Sequence, residues 1–362
     1  MSAKYRIVEG DPHAHREEAL GLTLRNFDVP PEVTYARYPK YYTESPFGPA
    51  LVFFAEETMT GQFVGMATLF PIELSVGGEP LRGAIGGDFV VDRPHRVLGP
   101  ALALQRATVD ALDANGLHFV YGLPNQNSDP VTARIGFVDV GQLSRFIKVL
   151  RVESLAGKAA QRPLVGRLAS TLGPVLVDPI LSLISRERLY RRRRDVRAEH
   201  VERFDQRFDE VFDAMSRHHP ITARRSVELL DWRYEKDHPA DRLGGHSILA
   251  VVENGARVLG YVVYKTIDGV RYVEDVGFLP SRDAVDAVLS ELVLDARRER
   301  NAAISVTLLE TKSLLVDRLR SFGFLRRPER SRLRVYTRDD SAQAVDFLDR
   351  NNWYFLFGDS DI

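Results

Sequence analysis

The nine residues from Arg93 to Ala101, RPHRVLGPA, stand where an apolar run gives way to an amphipathic one, and their types suit the capture of an anion. The run before them, Gly83 to Val91, reads as a strand ending in Phe89-Val90-Val91. The run after them, Pro100 to Asn115, places Leu104, Thr108, Ala111 and Leu112 on one helical face, with Pro100 suited to a first helical position and Gly116 to the stop. A strand feeding a short loop that opens into a helix leaves backbone N–H groups unpaired at the helix's positive end, where a phosphate or pyrophosphate binds well. Neither common phosphate loop is present. No GxxxxGK[ST] occurs, Gly157-Lys158 has Val152 where the upstream glycine would stand, and no GxGxxG is found.

The elements around this loop extend the pattern. A second strand, His118 to Leu123, follows the helix, and then Asn125-Gln126-Asn127-Ser128-Asp129-Pro130-Val131-Thr132-Ala133-Arg134-Ile135-Gly136-Phe137. The closing Gly-Phe pair reads as a helix cap that turns the chain into a strand with an apolar anchor. Arg96-Val97-Leu98-Gly99-Pro100-Ala101 resembles the [QR]-x-x-G-x-[GA] acyl-CoA loop of the GNAT N-acetyltransferase superfamily. Asn125, Ser128, Val131, Ile135, Gly136 and Phe137 fall in order on that superfamily's last core helix, N-x-x-A-x-x-L-Y-x-x-L-G-F. The resemblance covers about residues 5 to 150. It implies an α/β mixed-sheet fold and acetyl-CoA as acyl donor, with the pyrophosphate held by Arg96, Val97, Leu98, Gly99 and Ala101. Val90 and Val91 would hold the pantetheine arm through their backbone, and Asn125 would assist. Two departures stand out: Thr132 replaces the tyrosine that protonates the leaving thiolate, and Pro100 removes one amide from the loop.

Acyl transfer from a thioester to an amine needs a base, a polarised carbonyl and a proton for the thiolate. Asp88 is the only carboxylate in its strand and faces opposite to the apolar side, which makes it the candidate base; the competing reading is a turn aspartate beside Gly86-Gly87. Tyr121 on the neighbouring strand is the candidate acid, with core packing as its alternative. His95 lies inside the loop, near a bound nucleotide or merely exposed. His218, His219 and His238 lack metal-ligand spacing and read as solvated loop histidines, and Trp232 reads as an inter-domain anchor. No G-x-S-x-G elbow supports serine hydrolase chemistry.

Composition narrows the field. The 362 residues carry a net charge of −1, against a dedicated nucleic-acid binder, and contain no cysteine, which excludes disulfides, thiolate zinc sites and cysteine nucleophiles. The start has no signal or transit character and no 18-residue apolar run occurs, so the expectation is a cytoplasmic protein without a transmembrane segment.

The second half echoes the first. Leu51 to Glu57 with Phe63 to Ala67, and Ile248 to Gly255 with Val258 to Val263, both read as hairpins; each leads on through strand, helix and strand to a helix closing in Gly-Phe, Gly136-Phe137 or Gly323-Phe324. The second copy has Pro280-Ser281-Arg282-Asp283 where the first has its loop. The expected organisation is a GNAT-like domain over residues 1–150, a helical linker with a basic end over 151–199, a degenerate copy over 200–340 that shapes the acceptor site without binding cofactor, and an aromatic strand with an acidic tail over 341–362. Each copy should carry its own mixed sheet. The linker's basic end, Arg191 to Arg194, reads as a solvated end, with peripheral contact to an anionic membrane as the alternative. The tail resembles tandem proteins of bacterial polysaccharide-related gene neighbourhoods and should dock between the copies. That would place Asp359 and Asp361 near the acceptor entrance, to favour a cationic amine such as an amino sugar. The reading is therefore an acyl-CoA-dependent N-acyltransferase acting on a primary amine. The alternatives are a Fem-like aminoacyl-tRNA-dependent transferase and a non-enzymatic pseudo-acetyltransferase.

Overall fold

The computed structural model describes residues 4–151, 195–235, 245–338 and 345–360. Most of the linker, its arginine run, His238 and Asp361 lie outside the described residues. In the first half β1 (Tyr5–Gly10), β2 (Leu51–Glu57), β3 (Phe63–Val76) and β4 (Glu79–Val91) form an antiparallel meander. β5 (Phe119–Gly122) then runs parallel to β4, but pairs with it only at Ala84–Val120 and Ile85–Tyr121. After β6 (Val138–Val149), the second half repeats the plan. β7 (Val196–Val201), β9 (Ser247–Glu253), β10 (Arg257–Ile267) and β11 (Val270–Phe278) are antiparallel neighbours, and β12 (Ala303–Leu309) is parallel to β11 from Val270 to Val273.

The two halves do not keep separate sheets, which corrects the sequence expectation. Each gives its last strand to the other. β13 (Leu325–Thr337) closes the second half but lies against β5, with Arg334 opposite Gly122, while β6 lies against β12, with Ile147 opposite Ser305. β6 and β13 also pair with each other, so one sheet of 14 strands runs through the molecule. The crossings start at the Gly-Phe pairs. Gly136 (φ 106°) and Gly323 (φ 79°) take the left-handed conformation that ends a helix cheaply only at glycine, and Phe137 and Phe324 are buried behind them.

Helices cover the apolar faces. α1 (Arg16–Asn26) and α2 (Pro31–Tyr38) pack on one face of the first half, and α3 (Leu98–Asp110) and α4 (Asp129–Ile135) pack on the other. α5 (Asp209–His218), α6 (Val227–Arg233), α7 (Arg282–Arg298) and α8 (Leu314–Ser321) belong to the second half.

The C-terminal segment is inserted between these layers. Trp353 and Phe355 enter the core beside Phe119 and Tyr121, while Tyr354 and Leu356 enter the core of the second half, the alternation of an extended chain. Trp353–Tyr354 (β14) pairs with Ile221–Ala223 (β8), which in turn pairs with β3. Where the segment passes β11, a Cβ on Gly358 would lie 2.5 Å from the Glu274 carbonyl oxygen and 2.8 Å from the Tyr234 hydroxyl. Gly358→Ala is expected to lower the unfolding free energy by about 1–3 kcal/mol, because backbone cannot step aside as a side chain can. Urea denaturation checks this; an unchanged midpoint would mean that the segment shifts freely.

Candidate active site

β4 leaves β5 because of a bulge. Met66 faces Val90 and Thr68 faces Gly87, so an extra residue stands in β4 there, and Asp88 takes a left-handed conformation with φ 43°. Aspartate tolerates that conformation better than most residues. Past Ile85 the strand has no partner on its β5 side among the described residues, and a cleft of about 250 Å³ opens, lined by Gly86, Gly87, Asp88, Gln105, Asn125 and Thr132 among others. Glycines let the strands approach at its base: a Cβ on Gly122 would lie 3.1 Å from the Gly86 carbonyl oxygen.

Asp88 stands in the cleft wall with its carboxylate held. Tyr42 donates to Oδ2 at 2.6 Å, and Arg37 donates to both oxygens at 3.1 and 3.3 Å. Burial, with the Asp88 charge beside it, keeps the Tyr42 hydroxyl well above its ordinary pKa, so it remains a donor. Burial pulls the Arg37 guanidinium down, but the Asp88 charge outweighs it and holds Arg37 above its ordinary value. Neither residue was visible as a site residue in the sequence. Arg37 comes from α2, Tyr42 from the π-helical turn Pro39–Thr43, and no local pattern marks that turn as facing β4.

α3 begins at Leu98, so Pro100 is its third residue and not its first, and Val97 precedes it in extended conformation with no side chain able to cap. The first-turn amides of Leu98 and Gly99 therefore have no intrahelical acceptor. A Cβ on Gly99 would meet nothing within 4 Å, and its backbone is not left-handed, so no neighbour among the described residues requires glycine there. α7, the corresponding helix of the second half, is closed by its own Ser281, whose hydroxyl accepts from the Ala284 amide. Arg96 binds inward: Nε donates to the Val91 carbonyl at 2.9 Å and a terminal nitrogen to Asn26 Oδ1 at 3.1 Å, fastening the loop to β4 and α1. His95 lies 3.1 Å from the Tyr5 hydroxyl. Asn125 spends Oδ1 on the amides of Asn127 and Ser128, shaping the turn into α4, and Thr132 donates to the Asp129 carbonyl.

Tyr121 lines the same cleft as Asp88, but its hydroxyl is engaged. Its side chain is fully buried, its hydroxyl donates to the Asp359 carbonyl at 2.6 Å, and burial raises its pKa far above the ordinary value. Asp359 is corrected too. It is 2% exposed, lies between Arg225 and Arg233, and accepts from the Leu356 amide. The segment that carries it fills the splay between β11 and β12, where Leu309 N–H donates to Phe355 O and Tyr354 donates to Val276 O. The second half's counterpart of the β4–β5 opening is thus occupied by the chain's own end.

No protein-family model matches this chain, and no curated protein matches it. Solved structures do. An Enterococcus faecalis V583 protein described as a probable N-acyltransferase superposes with a TM-score of 0.64 at 12% identity, covering 92% of this chain and 73% of that one. A GCN5-related N-acetyltransferase from Anabaena variabilis gives 0.62 at 10% identity over 92% and 72%. The N-myristoyltransferase of Saccharomyces cerevisiae with bound myristoyl-CoA gives 0.50 at 12% over 93% and 79%. The fold is that of the GNAT-like acyltransferases, two copies in tandem. Among the described residues no helix is long and apolar enough to cross a membrane.

The inserted segment also accounts for His219, which was expected to be solvated. Its ring stacks on Tyr354 at 4.3 Å, and burial, then His218 and Arg225, hold its pKa down at about 3 against the ordinary 6.5. The unfolded chain takes up this proton at a higher pH than the folded one. The contribution is therefore complete above 6.5 and is lost as the pH falls toward 3, at up to about 1.4 kcal/mol per pH unit. His219→Phe keeps a ring against Tyr354 and should reduce the acid sensitivity of the urea midpoint; an unchanged pH profile would show that this histidine is not the group responsible.

Proposed function

We propose that this chain is an acyl-CoA-dependent N-acyltransferase that moves a short acyl group, acetyl in the simplest case, to a primary amine in the first half's cleft. The observation that carries the reading is the uncapped start of α3, with its unobstructed glycine, on the helix whose Gln105 lines the cleft walled by Asp88. A glycine with no internal reason for its identity fits a position where a ligand approaches the backbone. The Leu98 and Gly99 amides would face the pyrophosphate, and the edge of β4 at Val90 and Val91, where Arg96 already takes the Val91 carbonyl, would line the pantetheine arm. Arg96 would act by holding the loop, not as a phosphate ligand.

Asp88 takes the proton of the incoming ammonium, and Tyr42 and Arg37 fix the carboxylate for that task. Backbone N–H groups beside the bulge would polarise the thioester carbonyl. With Tyr121 committed to Asp359 and a threonine at position 132, the departing thiolate draws its proton from solvent at the cleft mouth. Trp232 and Arg233 come from α6 of the second half, with Trp232 against Tyr41 at 5.7 Å and Lys40 donating to the Arg233 carbonyl, so this half would bound the acceptor's approach. Thr132 in place of an acid favours one second reading, an acyl-CoA binder without turnover.

Acetyl-CoA at about a hundred times its Kd should stabilise the protein by about 2.7 kcal/mol, seen as a rise in Tm. Gly99→Glu should abolish the rise by bulk and like charge. A rise unaffected by Gly99→Glu, or no rise at all, overturns the loop assignment. Asp88→Asn should slow release of the CoA thiol in the presence of a panel of primary amines by roughly 10²–10⁴-fold with the acetyl-CoA shift intact. A shift without thiol release from any amine would support the binder.

A further inference from the structure

Gln105 stands midway along α3, 8% exposed, and lines the first half's cleft together with Gly86, Gly87 and Thr132. Its backbone carbonyl accepts from the Thr108 hydroxyl at 2.8 Å, but its side-chain amide makes no hydrogen bond among the described residues. That amide is not sealed in the core. The unpaired polar atoms shut away from solvent belong to other residues, Ser290 and Ser305 among them, so the Gln105 oxygen and nitrogen both keep access to the cleft. A carboxamide placed so deeply carries donors and an acceptor that its own chain does not satisfy, and this is costly unless water or a ligand does so.

The two faces of the sheet divide the polar groups of the cleft. Asp88 is held by Arg37 and Tyr42 on the face covered by α1 and α2, where Tyr41 also meets Trp232 of α6. Gln105 and Thr132 come from α3 and α4, which cover the other face. With Asp88 turned to the amine, the Gln105 side of the opening is left to the donor. Gln105 lies six residues beyond Gly99, about 9 Å along the helix axis, past the end that would meet the pyrophosphate.

Resting on the acyl-CoA reading of this cleft, we propose that Gln105 pairs with an amide group of the pantetheine arm. A secondary amide offers one N–H and one carbonyl, and Gln105 answers them with Oε1 and Nε2. A thioester carbonyl or a thiolate would engage Nε2 alone and leave Oε1 without a partner, and the ammonium of the acceptor belongs to Asp88. Gln105 is thus a binding residue for the stretch between nucleotide and thioester, and it sets how deep the thioester sits.

Calorimetric titration of the full chain with CoA, and with the 3′-phosphorylated form of ADP that lacks the arm, tests the assignment. Gln105→Leu removes both hydrogen-bonding atoms at similar bulk. Losing two neutral hydrogen bonds should weaken CoA roughly 10-fold, with the affinity for the nucleotide unchanged. The urea midpoint of the unliganded variant should be no lower than that of wild type, because the unpaired amide is gone. Gln105→Met, longer and more pliable, should show the same split. Unchanged CoA affinity in both variants, or equal weakening of CoA and the nucleotide, overturns the proposal while leaving the acyl-CoA reading in place. Wild type that binds neither ligand refutes that reading, and this one with it.

Discussion

The buried guanidinium of Arg225 is the interaction on which the arrangement of the two halves rests. It donates to both oxygens of Asp275 on β11, to Thr222 and the Ala223 carbonyl around β8, and at 3.4 Å to Asp359 near the chain's end. Burial alone would lower its pKa, but Asp275 and Asp359 outweigh that and hold it well above the ordinary value. Burial, with the Asp275 charge close by, pushes Asp359 above the usual carboxylate range even between two guanidiniums. Such a cluster is not a strong net source of stability, because desolvation offsets much of the attraction; removing one member, however, leaves an uncompensated charge and costs about 3–5 kcal/mol. What the cluster supplies is position. It seats the C-terminal segment in the splay between β11 and β12, and Tyr121 then reaches across from β5 to the Asp359 carbonyl.

From that seating follows the asymmetry between two similar halves. Both contain a parallel pair of strands that diverges, and both follow the first of these strands with a helix. In the second half the divergence is filled by Tyr354, Phe355 and Leu356, and the helix start is closed by Ser281. In the first half the bulge at Asp88 keeps the strands apart, and Val97 leaves the helix start uncapped. The difference between an open cleft and a filled one thus comes down to one serine, one bulge and the C-terminal segment.

The exchange of β6 and β13 joins these halves more firmly than surface packing would. Each half is completed by the other's last strand, so neither can turn as an independent body without breaking backbone ladders. This constraint holds α6 beside Tyr41 and Lys40, near the Asp88 cluster.

Much of the local structure was legible in the sequence because local rules decide it. Gly136 and Gly323 end helices through a conformation that other residues disfavour, alternating apolar residues mark the hairpins, and the spacing from Arg96 to Ala101 marks a strand–loop–helix junction. The identity of Asp88 as the carboxylate in the diverging strand was readable for the same reason. Strand partners were not. An amphipathic strand after Gly-Phe encodes which of its faces is apolar but not which edge it will join, and β6 and β13 meet that requirement equally well. Nor could the sequence show that Arg37 and Tyr42 would reach Asp88, that the Tyr121 hydroxyl would be taken by a carbonyl 238 residues away, or that Asp359 would be buried on Arg225. These contacts join segments far apart along the chain. They are selected by the competition of whole surfaces for burial, which only the tertiary structure decides.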